Sequence, residues 1–208
     1  GDNAATACGM GVMRPGTGFL SLGTSGVLFA ASDAYQPNTG DAVHTFCHAV
    51  PDTWHQMGVI LSATDSLTWL SEISGRTVPE LAALVPETVT EPSPVGFLPY
   101  LSGERTPLND PGATGAFTGL RRDAGLPQMV QAVMEGVGMA FADSVRVLRK
   151  AGTPVEAAYA VGGGARSRSW LKMIASITGV RLLVPQDGDF GAAFGAARLA
   201  AAAATGDT

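Results

Sequence analysis

The sequence predicts an α/β layered domain, and two observations predict it. Strand-like apolar segments come first and then alternate with helical ones. Near Ser62 the apolar spacing also changes from a two-residue to a helical repeat. With 208 residues, 46% apolar and 15% charged, the chain can bury a substantial core.

The elements follow in order. Asp2 or Asn3 can cap a short helix over residues 4–8 that stops at Gly9-Met10-Gly11. Arg14-Pro15-Gly16-Thr17-Gly18 reads as a turn. Residues 20–30 then carry two apolar runs around Gly23-Thr24-Ser25-Gly26, the pattern of two short antiparallel strands joined by a tight turn. Residues 33–41 form a loop, and 44–50 and 54–61 a second strand pair. Leu67, Leu70 and Ile73 mark a helix that Ser62 can cap and Gly75 ends. A second short helix covers 79–85. Residues 88–94 are a proline-bearing connector inside one domain, and 95–100 and 115–120 are strands.

Residues 127–150 are the longest helix, with Val130, Val133, Met134, Val137, Met139 and Phe141 among its apolar stripe. Gly136 and Gly138 cost helix stability, so close packing against another backbone is expected there. Residues 157–161 are a buried strand that opens onto Gly162-Gly163-Gly164. Ser167 caps a helix to 177, and 180–184 are a strand. Gly188-Asp189-Phe190-Gly191 turns into a last alanine-rich helix that ends near Thr205.

Charge and cysteine usage narrow the function. A net charge of −5 with no run of Lys or Arg argues against a nucleic-acid or polybasic membrane-surface role. No apolar run reaches the length of a membrane span. Cys8 and Cys47 lie far apart without CxxC spacing, which fits a reducing cytoplasm, and each reads as a small buried apolar residue. The chain starts at Gly1 without a methionine, in what looks like the middle of a folded unit; a fragment of a longer protein is the expectation.

Two glycine-bearing turns carry the candidate chemistry. Glycine permits positive φ and close backbone approach, so Gly23-Thr24-Ser25-Gly26 can offer N–H groups and two hydroxyls to an anion. An ordinary hairpin has the same signature. Gly162-Gly163-Gly164-Ala165-Arg166-Ser167, between a strand and a helix start, suits a phosphate or ribose equally as it suits a tight structural turn. It is neither the Rossmann fingerprint nor a P-loop. The two turns together favour nucleotide binding.

Asp2 reads as a helix cap or as a general base acting on a hydroxyl that attacks a phosphoryl group. His44, His48 and His55 fit core or surface roles better than a metal site, and no residue is assigned to a metal. Trp54, Trp69 and Trp170 read as core. Glu104-Arg105 reads as a structural ion pair, with a cleft-lining loop as the alternative.

Five segments carry a resemblance: Gly1-Asp2-Asn3-Ala4-Ala5; Leu20 to Val27; Thr45 to Met57; Phe97 to Pro107; and Gly162-Gly163-Gly164-Ala165-Arg166-Ser167 with Trp170. In order and spacing the chain resembles the bacterial xylulokinase family of sugar kinases. The likeness spans nearly all 208 residues but only the C-terminal half of such an enzyme. The Gly103 to Pro107 loop is shared with gluconokinases, whereas the Phe46-Cys47-His48-Ala49 and Trp54-His55 segment points to xylulose.

The resemblance implies an actin-like ATPase (ribonuclease H-like) domain, a mixed sheet with helices on both faces. Residues 1–208 would be the C-terminal nucleotide-binding domain of a two-domain cytoplasmic kinase. The N-terminal sugar-binding domain, with a second phosphate hairpin and a metal-orienting acid, would lie outside this chain. Asp2 then matches the catalytic base that takes the proton of the sugar 5-hydroxyl. Gly23, Thr24 and Ser25 match the phosphate hairpin. Gly163, Gly164 and Ala165 match the adenosine-side loop, with Arg168 near the purine. ATP and Mg2+ are the implied cofactors and D-xylulose the implied substrate, with association into a homodimer as a further expectation. Another sugar or sugar acid such as gluconate, or a non-catalytic actin-like module, is the alternative. Alone, the chain is expected to bind nucleotide weakly and not to turn over xylulose.

Overall fold

The computed structural model describes residues 1–185 and 191–206. The expected turn at Gly188 to Phe190 lies outside the described residues. The first helix, α1 (Asp2–Met10), ends where Gly11 adopts a left-handed conformation at φ 73°. Strands β1 (Thr17–Leu22) and β2 (Gly26–Ser32) form the expected hairpin, and β3 (His44–Cys47) and β4 (Trp54–Ile60) the second one. Helices α2 (Thr64–Ser74) and α3 (Val78–Ala82) follow. Short strands β5 (Gly96–Leu98) and β6 (Ala116–Thr118) make a separate two-stranded sheet. Then come α4 (Leu126–Lys150), β7 (Ala157–Val161), α5 (Arg168–Thr178), β8 (Arg181–Leu183) and α6 (Gly191–Thr205).

The main sheet has six strands in the order β3-β4-β2-β1-β7-β8. Its β1–β4 half is antiparallel, while β7 runs parallel to β1, and β8 to β7. Side chains alternate across the strands. Leu20, Leu22, Leu28 and Ile60 therefore point into the large core with α2, α4 and α5. Phe19, Phe29, Ala31 and Met57 point to the other side, into a smaller core with Ala7 of α1 and Val12.

Several expectations change in detail. Asp2 is the first helical residue, not the cap: Gly1 takes the cap position and no side chain caps α1. Ser62 does not cap α2 either; Ala63 stands there. Helix α3 starts earlier than expected because Thr77 and Glu80 form a capping box, the Thr77 N–H donating to Glu80 Oε2 at 2.8 Å. Met139 leaves the α4 stripe and is 58% exposed. Cys8 is buried, but Cys47 is exposed on the edge strand β3. Gly136 does meet a backbone, since a Cβ there would fall 2.3 Å from the Phe97 carbonyl oxygen; Gly138 meets the Ile177 side chain instead. Among the described residues no helix is long and apolar enough to cross a membrane.

Candidate nucleotide site

The two glycine turns emerge side by side. Strand β7 lies parallel to β1 with Val161 opposite Ser21, so the turn after Leu22 and the loop after Val161 leave the same end of neighbouring strands. In α/β sheets, the carboxyl ends of adjacent parallel strands are where ligands bind. Gly162 makes the junction possible. Its φ of 91° suits glycine, and a Cβ there would fall 2.8 Å from the Leu22 carbonyl oxygen and 3.2 Å from the Gly23 nitrogen.

The hairpin turn is fixed from behind by α2. Ala63 and Thr64 N–H groups donate to the Thr24 and Gly23 carbonyls at 2.8 and 2.9 Å, and the Asp65 N–H reaches the Thr24 carbonyl at 3.3 Å. These are the orphan donors of a helix start, satisfied here by backbone. That is why Ser62 has no capping work to do. In a trans peptide the N–H points opposite to the carbonyl. The Thr24 and Ser25 N–H groups therefore face away from α2, alongside the exposed Thr24 and Ser25 side chains.

The second loop forms the wall of a groove. After Gly162 the chain makes one 3-10 turn over Gly163–Arg166, with the Ala165 N–H donating to the Gly162 carbonyl at 3.1 Å. Ser167 then caps α5 as expected, its Oγ accepting from the Trp170 N–H at 3.3 Å. Gly163, Gly164, Thr64, Leu67, Pro79 and Trp170 are among the residues around a groove of about 500 Å3. Gly163 has open space where a Cβ would stand, and Gly164 has none, with Leu22 and Thr64 pressed against it. The groove's lining mixes apolar Leu67, Val78, Pro79 and Trp170 with polar Thr64, Thr68 and Ser167, the composition of a small-molecule pocket.

Not every residue singled out in the sequence meets here. Arg166 lines the groove, whereas Arg168, the first residue of α5, is not among the residues that line it. Trp170 is both core and groove wall, its indole N–H donating to the Met134 carbonyl at 3.0 Å. Asp2 is exposed in the first turn of α1, and its Oδ1 accepts from the Asn3 N–H at 2.9 Å. The body of α1 packs on the sheet face opposite α2. The contributions of Thr64, Leu67, Pro79 and the α2 start are invisible in motif terms, because apolar and threonine residues carry no local signature of a ligand.

The neighbouring polar groups have structural partners. Glu104 is not in an ion pair with Arg105: its Oε1 accepts from the Leu61 and Arg105 backbone N–H groups at 3.0 and 2.7 Å. Burial pushes its carboxyl above the usual range, and those two N–H groups act in the other direction. His48 donates from Nε2 to the Val12 carbonyl at 3.0 Å, and His55 stacks on Phe29 with ring centres 4.5 Å apart. Among the described residues no cluster of three His, Cys, Asp or Glu side chains could hold a metal.

Comparison with known proteins places this architecture. Residues 18–204 match the C-terminal domain of the FGGY family of carbohydrate kinases. A xylulose kinase from Escherichia coli strain K12 is 47% identical over 205 residues, 98% of this chain and 42% of the relative. A crystal structure from Brucella ovis, described as a xyloylose kinase, superposes with a TM-score of 0.96 at 57% identity, covering 99% of this chain and 43% of that one. A Plasmodium falciparum glycerol kinase with ADP shares the fold alone, at 16% identity, a TM-score of 0.84, and coverage of 100% of this chain and 44% of that one. The chain thus spans about two fifths of the length of the relatives it matches. With its mixed sheet covered by helices on both faces, it has the actin-like ATPase fold and belongs to the FGGY family of carbohydrate kinases, in which it is a C-terminal domain.

Proposed function

We propose that this chain is the nucleotide-binding half of an ATP-dependent kinase that converts D-xylulose to D-xylulose 5-phosphate and ADP. The observation that supports it best is the meeting of the two glycine turns at the shared end of β1 and β7. The relatives' names supply the sugar: those at 47% identity are called xylulose kinases.

In this reading ATP supplies the transferable phosphoryl group, and its Mg2+ neutralises phosphate charge. The protein's own work is positioning and charge stabilisation, which dominate phosphoryl transfer. Gly163 and Gly164, which line the groove, border the ribose and base, with Ala165 next in the same turn though not in the groove's lining, and the groove is of a size for them. Arg168, at the start of α5, stands on the purine side. The N–H groups and hydroxyls of Gly23, Thr24 and Ser25 hold phosphate oxygens. Asp2 takes the proton from the sugar 5-hydroxyl as general base. The sugar pocket and the opposing phosphate hairpin belong to a second, N-terminal domain, and closure of the two excludes water.

The test is ADP release from Mg-ATP by the natural full-length protein, offered D-xylulose, D-gluconate, glycerol and L-ribulose in turn. Release with D-xylulose alone is expected, and Asp2→Ala should abolish it while ATP still binds. Release with a different sugar alone would overturn the substrate. Bound ATP with no release across the panel would overturn the kinase reading in favour of a non-catalytic module.

A further inference from the structure

The loop between β5 and β6 reaches back to the main sheet with a buried carboxylate that the reaction does not use. Strand β3 pairs with β4 only as far as His44 opposite Met57, so the last residues of β4 lie beyond its edge partner. The loop takes over there. The Thr106 N–H donates to the Val59 carbonyl at 3.0 Å, and the Thr106 Oγ1 accepts from the Val59 N–H at 3.0 Å. One step further along, Glu104 Oε1 accepts from the Leu61 N–H at 3.0 Å. Glu104 is only 2% exposed, and its Oε2 is buried with no hydrogen-bond partner among the described residues. Reciprocal 2.9 Å backbone bonds between Glu104 and Asp110 close the loop on itself, so the carboxylate is held on a fixed support.

Leu61 is two residues before Ala63, whose N–H holds the Thr24 carbonyl, and three before Thr64, whose N–H holds the Gly23 carbonyl. A continuous chain of contacts therefore leads from Glu104 through the β4–α2 junction to the tip of the hairpin. A charge-assisted bond from a carboxylate to backbone N–H is stronger than a neutral one. That strength is spent at the one point where β4 leaves the sheet and the α2 start must present its donors.

We propose that Glu104 is a positioning residue of the phosphate hairpin, fixing through Leu61 the junction on which Gly23 and Thr24 are hung. This rests on the reading of residues 23–25 as a phosphate-binding turn. Glu104 touches neither substrate nor nucleotide; it sets where the Thr24 and Ser25 N–H groups aim.

The test compares ATP with AMP, because only ATP carries phosphates out to the hairpin. In the natural full-length protein, Glu104→Ala should weaken ATP binding by about tenfold and lower kcat, with AMP affinity changed by no more than about twofold. Glu104→Gln keeps an oxygen for Leu61 and should bring ATP affinity back to within about threefold of the parent. Leu148→Ala, in the core two turns along α4 from the Phe141 that lies against Gly26, should lower the melting temperature and leave the ATP-to-AMP affinity ratio unchanged. An unchanged ratio and kcat in Glu104→Ala would overturn the proposal. Ser25→Glu separates the two failures. If it lowers ATP affinity and spares AMP while Glu104→Ala does nothing, the hairpin reading stands and the Glu104 role alone is wrong. If it spares ATP as well, the hairpin reading falls and this inference with it.

Discussion

The core of the six-stranded sheet and the outer helix pair α1–α6 are held together by opposite means. On one face of the sheet, volume does the work: Phe141, Leu22, Ile60, Leu67 and Trp170 interlock beneath α2, α4 and α5. On the other, α1 covers Phe19, Phe29 and Met57, and α6 in turn sits on α1 through residues with almost no side chain. A Cβ on Gly195 would fall 1.7 Å from the Ala5 carbonyl oxygen, and one on Gly9 would fall 2.3 Å from that of Gly191. Arg198 of α6 completes the pair, its Nη1 donating to the Cys8 and Gly9 carbonyls at the end of α1 at 3.1 and 3.3 Å. The difference has a functional sense. The large face supports the groove and the hairpin, while backbone contact on the small face fixes the placement of α1 and of Asp2 at its start.

If that contrast is right, the large face should fail by deletion and the small face by addition. Phe141 is fully buried and lies against the hairpin stem, where a Cβ on Gly26 would come within 2.7 Å of its ring. Phe141→Ala should cost about 3–5 kcal/mol, measured by denaturant titration of the natural full-length protein. A loss below about 1 kcal/mol would mean that the large face tolerates cavities, and the contrast would collapse. Gly195→Ala is the sharper test because two effects oppose each other. Alanine is the better helix former by about 1 kcal/mol, so propensity alone predicts stabilisation. The Ala5 carbonyl stands where the methyl must go, and forced separation of the helices should make the net change a loss of about 1–3 kcal/mol. A gain in melting temperature would show that α1 and α6 can move apart freely.

The sequence made the strands and the long helix readable wherever one local rule governed them. Alternation gave the β1–β2 hairpin, the apolar stripe over 127–150 gave α4, and Ser167 gave the start of α5. Reading failed where a distant group took over a local job. Ser62 has the right chemistry to cap α2, but the Gly23 and Thr24 carbonyls, brought there by the hairpin, already accept from its first N–H groups. Glu104 next to Arg105 suggests an ion pair, yet the carboxylate turns inward to a backbone more than forty positions away. Met139 stands two positions from both Val137 and Phe141, off the three-to-four-residue repeat, so it turns away from the core and is exposed. The site shows the same division. Both glycine turns are visible as motifs, whereas the groove they border is built from Thr64, Leu67 and Pro79, which only the tertiary fold brings to the glycines.

The smallest expected effect is a difference in acid sensitivity. The small face includes a ring cluster in which His55 stacks on Phe29 and meets His48 edge-on at 5.9 Å. Burial first, then the His48 charge, lower the His55 pKa from 6.5 to about 4. His48 is displaced in the same direction, chiefly by burial. The folded state thus keeps His55 neutral over a range where the unfolded chain takes up a proton. Stability is then complete above the unfolded pKa of 6.5 and declines as the pH falls toward 4. Between pH ~7 and pH ~5 this one group should remove about 2 kcal/mol. The large-face cluster consists of apolar side chains and has no such term. At pH ~5 the protection factors, taken against the intrinsic exchange rate at that pH, should therefore fall in α1 and around Phe29 while those of α4 hold. His55→Phe keeps the stacking ring and removes the proton site, so it should flatten the stability change over that interval. An equal loss of protection on both faces at pH ~5 would show that the sheet unfolds as one unit, with the small face no weaker to acid than the large.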